Sequence, residues 1–341
     1  MDSARKAKRP MRLATQIQPV VQASISAVLS AVLLMAAVPA HAQQSKKHVP
    51  RKPAISTWSK YDCGGRFELR ASAPAASQGS LLLLELRGAK PLTAVTATWT
   101  EKEIPFWRAQ VTATKETSLW RAFLGLDLEQ AAGEYKLGVT AKSETGDSIT
   151  CGATIAVRAG KFATEKLKVA PNFVEPDPEQ LAKAREDSKK LREIFATLTP
   201  EKFWTGRFRV PLDGVTTGGN FGKRRVLNGQ PSSPHTGVDF PAPTGTPVHA
   251  AQRGRVVLAE PLYFSGNTVV IDHGWGVYTL YGHFSETAVK PGDMVESGAV
   301  IGKVGATGRV TGPHLHWGLT VNRSKVNALQ IVALTKQLAI N

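Results

Sequence analysis

Apolar and polar positions along this chain mostly alternate with a period of two, in short runs separated by turn residues. Residues 54–160 carry that pattern first. Ser80 to Arg87 is an apolar run bounded by Gly79 and Gly88, and Val95-Thr-Ala-Thr-Trp99 is rich in β-branched residues. Trp107 to Val111 and Ser118 to Leu124 follow, Gly133-Glu-Tyr-Lys-Leu-Gly-Val139 alternates, and Ser148 to Val157 closes the region. Short strands at regular spacing predict a small β-sandwich over 54–160, with an immunoglobulin-like topology as the working guess. No cluster of titratable residues marks it, so it reads as a binding or spacer module.

The period then changes. Residues 161–176 form a proline-punctuated connection, and a helix begins cleanly after it. Asp177 is placed to cap it, Pro178 suits its first turn and Gln180 completes a capping box. Leu181, Ala184, Ser188, Leu191, Phe195 and Leu198 recur at helical spacing, with Lys183, Arg185, Glu186, Lys189, Lys190 and Arg192 on the other face. A linker with a helix packed on a neighbouring domain is expected over 161–200, a clamp over a groove being the alternative use. From Phe208 glycine becomes frequent and strands short again: Val248 to Ala251, Arg255 to Glu260, Thr268 to His273, Val277 to His283, Ala299 to Val304 and His314 to Thr320. That pattern predicts an antiparallel sheet over 201–325, followed by a tail or short helix over 326–341. The fold class is mainly β.

The first residues read as targeting, not as fold. Arg5, Lys6, Lys8, Arg9 and Arg12 precede an apolar run from Ala27 to Val38, and Ala40-His41-Ala42 supplies a small-x-small cleavage site. Residues 1–42 are therefore expected to be a signal peptide and 43–53 a polar, basic, disordered segment. No cysteine stands directly after the apolar run, so no lipoprotein signal is read, and no other stretch is long and apolar enough to span a bilayer. The mature protein is thus expected in the periplasm, at the wall or outside the cell. That compartment permits a disulfide, and Cys63 and Cys151, the two cysteines of the chain, bracket one strand-rich region. The formal charge is +16, of which about +12 remains once the leader is gone. A basic exported protein suits anionic wall polymers or membrane surfaces, and export argues against nucleic acid.

Chemistry concentrates late in the chain. Six of eight histidines lie between positions 235 and 316. The sharpest group is His235, Asp239, His283, His314 and His316, carried by His235-Thr-Gly-Val-Asp239, Tyr281-Gly-His283 and Gly312-Pro313-His314-Leu315-His316. Pro234, Gly237, Pro241 and Pro243 disfavour a helix in the first piece, and an extended segment would aim His235 and Asp239 the same way. His314 and His316, two apart, share one face of a strand. Imidazoles with a carboxylate suit zinc, whose catalytic sites take three protein ligands and keep a fourth position open. Five groups supply three ligands with two left over, and the residues alone do not choose which three. His249 reads as an outward strand position and His273 as a strand end before a turn. Asp272 and Asp293, next to glycines, read as turn residues. Tyr281 is a candidate extra donor.

Residues from about Phe208 to Asn322 resemble the lysostaphin-type zinc metallopeptidases, which cut peptide bonds in bacterial peptidoglycan. Asn220-Phe-Gly-Lys-Arg-Arg225, His235-Thr-Gly-Val-Asp239, Gly245-Thr-Pro-Val248, Gly266-Asn-Thr-Val-Val-Ile-Asp-His-Gly274, Tyr281-Gly-His283, Lys290-Pro-Gly-Asp293 and Gly305-Ala-Thr-Gly-Arg-Val-Thr-Gly-Pro-His-Leu-His316 carry the likeness, in family order. The resemblance implies a groove-lined antiparallel sheet and one Zn2+ per chain on His235, Asp239 and His316. His283 and His314 are then the two catalytic histidines. It implies metal-assisted amide hydrolysis of wall peptides, one histidine moving a proton and the other stabilising the developing oxyanion. Two other readings compete: a non-catalytic wall-binding regulator of an amidase, and a zinc carboxypeptidase on muropeptides. Relatives of the first kind lack some metal or catalytic positions, whereas all five are filled here.

Overall fold

The computed structural model describes residues 58–64, 67–110, 118–215 and 218–338. The leader and basic segment read over 1–53 lie outside the described residues.

Two five-stranded sheets form the N-terminal half. One runs, in spatial order, Ser59–Asp62, Phe67–Ala71, Leu81–Gly88, Ser118–Gly125 and Trp107–Arg108. The other runs Ala75–Ser77, Ser148–Arg158, Gly133–Ser143, Leu92–Trp99 and Lys102–Pro105. Leu82, Leu84 and Leu86 meet Val95, Ala97, Trp99, Leu137, Val139 and Ile155 between them, as a sandwich requires. Leu81 to Leu84 is apolar without a break for a different reason. Leu81 and Leu83 point away from that core and pack, with Trp107 and Phe123, against Trp204, Val321, Val326 and Ile331. A strand covered on both faces loses the alternation of a half-exposed one. The two halves thus share a buried apolar layer. Polar bonds also cross it, Leu81 N–H donating to Gln330 Oε1 at 2.6 Å and Asn322 Nδ2 to the Phe123 carbonyl at 3.1 Å.

Cys63 and Cys151 form a disulfide across 88 residues, tying the first sheet's edge to the second sheet. Denaturing, non-reducing thiol labelling of exported protein should find no free thiol. Replacing both cysteines by serine should lower unfolding free energy by about 2–5 kcal/mol, since an open loop of that length restores entropy to the unfolded chain. Two labelled thiols per chain, or an unchanged denaturation midpoint, would refute this.

The C-terminal sheet is antiparallel at every pair: Gly237–Pro241, His314–Val321, Val277–Thr287, Gly266–Asp272, Gly254–Leu262 and Met294–Val295 in order. Val300–Val304 joins beside Val277–Thr287 and itself pairs with Pro247–His249. Leu315, Trp317, Leu319, Val238, Phe240, Val269 and Tyr281 bury one face in the shared core. The opposite face is left for other work.

The helix Pro178–Ala196 starts as its sequence predicts. Asp177 Oδ1 accepts from Gln180 N–H at 2.8 Å, and Gln180 reaches back to the Asp177 N–H. Leu191, Ile194 and Phe195 pack on Leu258, Leu262, Val270 and Tyr278. Two expected face residues are exposed, Leu181 at 37% and Leu198 at 41%. Asp187 is buried in their place, accepting from the Tyr263 N–H at 2.7 Å and from Lys183 at 2.6 Å. The connection before the helix contains an unexpected strand, Thr164–Leu167, paired in parallel with Arg224–Leu227. A second helix, Ala328–Leu338, ends the described chain. No described helix is long and apolar enough to cross a membrane.

Candidate metal centre

His316 and Asp239 stand directly opposite each other on paired strands, and Gly282 opposes His316 from the other side. Strand alternation sends Leu315 and Trp317 into the core and His314 and His316 to the open face. His235 lies just before Gly237–Pro241 and is fixed by its backbone. Its N–H donates to the Lys223 carbonyl at 3.0 Å, and its carbonyl accepts from Gly222 N–H at 2.7 Å. Gly219 and Asp239 exchange N–H···O bonds at 2.9 and 3.1 Å. The Asn220-Phe-Gly-Lys-Arg-Arg225 motif is therefore the clamp that sets His235 and Asp239. Gly237 lies against the ring of His316, where a Cβ would come within 2.5 Å of Cε1 and Nε2.

Three donor atoms converge there. His235 Nε2 is 2.9 Å from His316 Nδ1, and each is 3.0 Å from Asp239 Oδ1. One shared proton can serve at most one of these three pairs, whereas a cation in their midst satisfies all three. Two nitrogens and a carboxylate oxygen match zinc's preferences, so the residues fit the group that the sequence implies. Asp239's other oxygen is held outside the trio, by Asn220 Nδ2 at 3.2 Å and Arg225 at 3.4 Å. Against the upward push of burial, hydrogen bonds from His235 and His316 hold the Asp239 carboxyl far below the usual carboxylate range. Burial, offset in part by Asp239, takes His235 down to about 4, so its ring is neutral near pH 7.

His283 and His314 flank the trio, their rings 4.7 Å apart, and His283 lies 5.8 Å from His316. Each has its Nδ1 tied to a backbone carbonyl, His283 to Thr307 and His314 to Gly312, both at 2.8 Å. A carbonyl only accepts, so Nδ1 carries the hydrogen and Nε2 is the free nitrogen. His314 Nε2 lies 3.7 Å from Asp239 Oδ1. Burial first, then His316 and His314, push His283 down to about 3.

His283 reaches this position by breaking the strand's rule. The pairing jumps from Asn267↔Phe284 to Val269↔Tyr281, one extra residue on the His283 strand, and His283 has φ +67°. Such a bulge re-aims a side chain. It also separates His283 from Tyr281, which points into the core instead. The Tyr281 hydroxyl accepts from Ala251 N–H at 2.8 Å and is 3.0 Å from Thr279 Oγ1. The expectation of Tyr281 as a site donor is thereby corrected.

The other histidines stand apart. His273 ends its strand fully buried, Nδ1 donating to the Arg253 carbonyl at 2.9 Å with Thr279 Oγ1 on Nε2 at 2.7 Å. His249 is not outward but half-buried, bonded to the Gly298 carbonyl at 2.9 Å and 3.1 Å from Asp213. Asp272 and Asp293 brace turns, accepting from Gly274 N–H at 2.7 Å and Lys290 N–H at 2.9 Å. Asn220, Arg225 and Glu165 were not singled out from sequence. The first two sit in a quoted motif, and Glu165 carries no local sign.

A groove of about 240 Å³ borders the trio at Asp239, lined also by His283, His314, Arg225 and Arg309 and, from the linker, by Glu165. An antiparallel sheet carrying a His-Asp-His trio and two free imidazole nitrogens in a groove is the layout of a metal-dependent peptidase. Residues 233–328 match Peptidase family M23. It is 48% identical over 98 residues to the peptidoglycan DD-endopeptidase ShyA of Vibrio cholerae, covering 29% of this chain and 23% of that one. It is 44% identical over 104 residues to the DD-carboxypeptidase/endopeptidase Mpg of Neisseria meningitidis, covering 30% and 24%. The chain therefore spans about a quarter of the length of these curated relatives. A solved Pseudomonas aeruginosa structure bearing the peptidase M23 name superposes with a TM-score of 0.56 at 26% identity, over 75% of this chain and 95% of that one. That share is more than the C-terminal sheet and its helix supply, so the likeness extends into the N-terminal sheets.

Proposed function

We propose that this protein is a zinc-dependent endopeptidase that hydrolyses peptide crosslinks in bacterial peptidoglycan. His235, Asp239 and His316 hold one zinc per chain, and His283 and His314 are its catalytic histidines. The observation that carries this reading is the meeting of three donor atoms within 3.0 Å of one another, beside two histidines whose outer nitrogens are free. When bound, zinc supplies Lewis acidity, polarising the scissile carbonyl and lowering the pKa of a water.

The remaining work falls to side chains of this protein. Asn220 and Arg225 keep one oxygen of Asp239 turned away, leaving the other for the ligand set. His283 and His314, with Nδ1–H anchored on carbonyls, present Nε2 as proton acceptor or, once protonated, as donor to an oxyanion or a leaving amine. The charge of about +12 that remains once the expected leader over 1–42 is removed favours an anionic wall, and that leader would direct export to it.

Purified sacculi provide the test. The zinc-loaded mature protein should solubilise them and convert crosslinked muropeptide dimers to monomers by mass spectrometry, with glycan bonds intact. A chelator should stop the reaction and zinc restore it, and high salt should slow it. Release of terminal residues alone would make it a carboxypeptidase. Intact crosslinks together with stimulation of a separate amidase would make it a regulator.

A further inference from the structure

Two arginines line the groove in opposite surroundings. Arg225 has an acid on each side, Asp239 Oδ2 at 3.4 Å and Glu165 Oε2 at 4.0 Å. Glu165 also takes Lys223 at 2.8 Å, so this cluster of charges is internally matched. Arg309 has no such partner: no acid pairs with its guanidinium among the described residues. Its Cζ instead lies 4.4 Å from the centroid of the Phe264 ring, and the backbone N–H of Arg309 donates to the Phe264 carbonyl at 2.8 Å. That contact is with a ring and not with an acid, and the guanidinium is a planar fork of N–H donors shaped for a carboxylate. Burial, and then the positive charge of Arg225, push Arg309 down to about 10. A partly desolvated cation costs free energy unless an anion meets it. Arg309 lies five residues before His314 and lines the same groove as His283 and Asp239.

We propose that Arg309 anchors substrate by clamping a free carboxylate of the wall peptide, and so sets the peptide's register against His283 and His314. This rests on the peptidase reading above. Stem peptides carry such carboxylates on their acidic residues and chain ends, and the fork of Arg309 is the unmatched cation of the groove that faces them. Arg309 is a binding residue here and moves no proton.

The experiment uses the zinc-loaded mature chain and two uncut stem tetrapeptides, one with free carboxylates and one with them amidated. Calorimetry should show wild type binding the acid roughly 10- to 100-fold more tightly, the range of a bidentate charge-assisted contact. Arg309→Met should bind the two peptides about equally. Arg309→Lys, which keeps the charge without the fork, should recover part of the preference, and both variants should melt as wild type does. Equal binding by wild type overturns the proposal. So does a preference that survives Arg309→Met, which would put the carboxylate on the metal instead. Hydrolysis of crosslinked dimers is measured in parallel on the same wild-type sample. An acid preference without hydrolysis would refute the peptidase reading, whereas hydrolysis without the preference would refute the role of Arg309.

Discussion

Asp239→Ala should purify without stoichiometric zinc and without measurable hydrolysis of crosslinked muropeptides, while the N-terminal sheets keep their cooperative unfolding. Asp239 Oδ1 is the atom that His235 Nε2 and His316 Nδ1 both approach at 3.0 Å, so its loss removes a corner of the trio. It also strips Arg225 of a partner, and Asp239→Asn is the control that preserves shape and the bond from Asn220. Elemental analysis decides the matter. One zinc retained per chain in both variants would remove Asp239 from the ligand set.

His283 and His314 should behave in the opposite way. His314→Ala and His283→Asn should each keep the metal yet lose roughly 10²–10³-fold or more in kcat, the usual contribution of one positioned proton carrier or oxyanion donor. Asparagine is the right replacement at 283. The backbone there has φ +67°, which asparagine tolerates better than alanine does. The double variant should lose less than the product of the single losses, because the two rings sit 4.7 Å apart beside one reacting centre. Near wild-type turnover in either single variant would make that histidine a packing residue.

Arg225 and Asn220 extend the same logic outward. Both hold the oxygen of Asp239 that faces away from His235 and His316. Neither declared itself in the sequence, because a side chain's partner across 14 or 19 residues depends on how two strands are laid together. Glu165 is more remote still, carried into the groove by a strand that pairs with Arg224–Leu227. Its surroundings held only a proline-punctuated connection to read.

What the sequence determined by itself is local. Period-two runs marked most of the strands in both halves, and Asp177, Pro178 and Gln180 marked the helix start, because alternation and capping are satisfied within a few residues. The candidate donors were also local, since His235-Thr-Gly-Val-Asp239 and His314-Leu315-His316 carry them on short extended pieces, although the residues alone did not choose which three would bind. Tertiary structure decided the rest through register. The bulge at His283 adds one residue to its strand and turns Tyr281 into the core, a choice that no alternation pattern contains. Cross-strand pairing set Asp239 opposite His316, so three atoms from two distant segments meet at one point. Burial of Leu81 and Leu83 against the C-terminal half erased the alternation in their strand, because only the assembled layers reveal that both of its faces are covered.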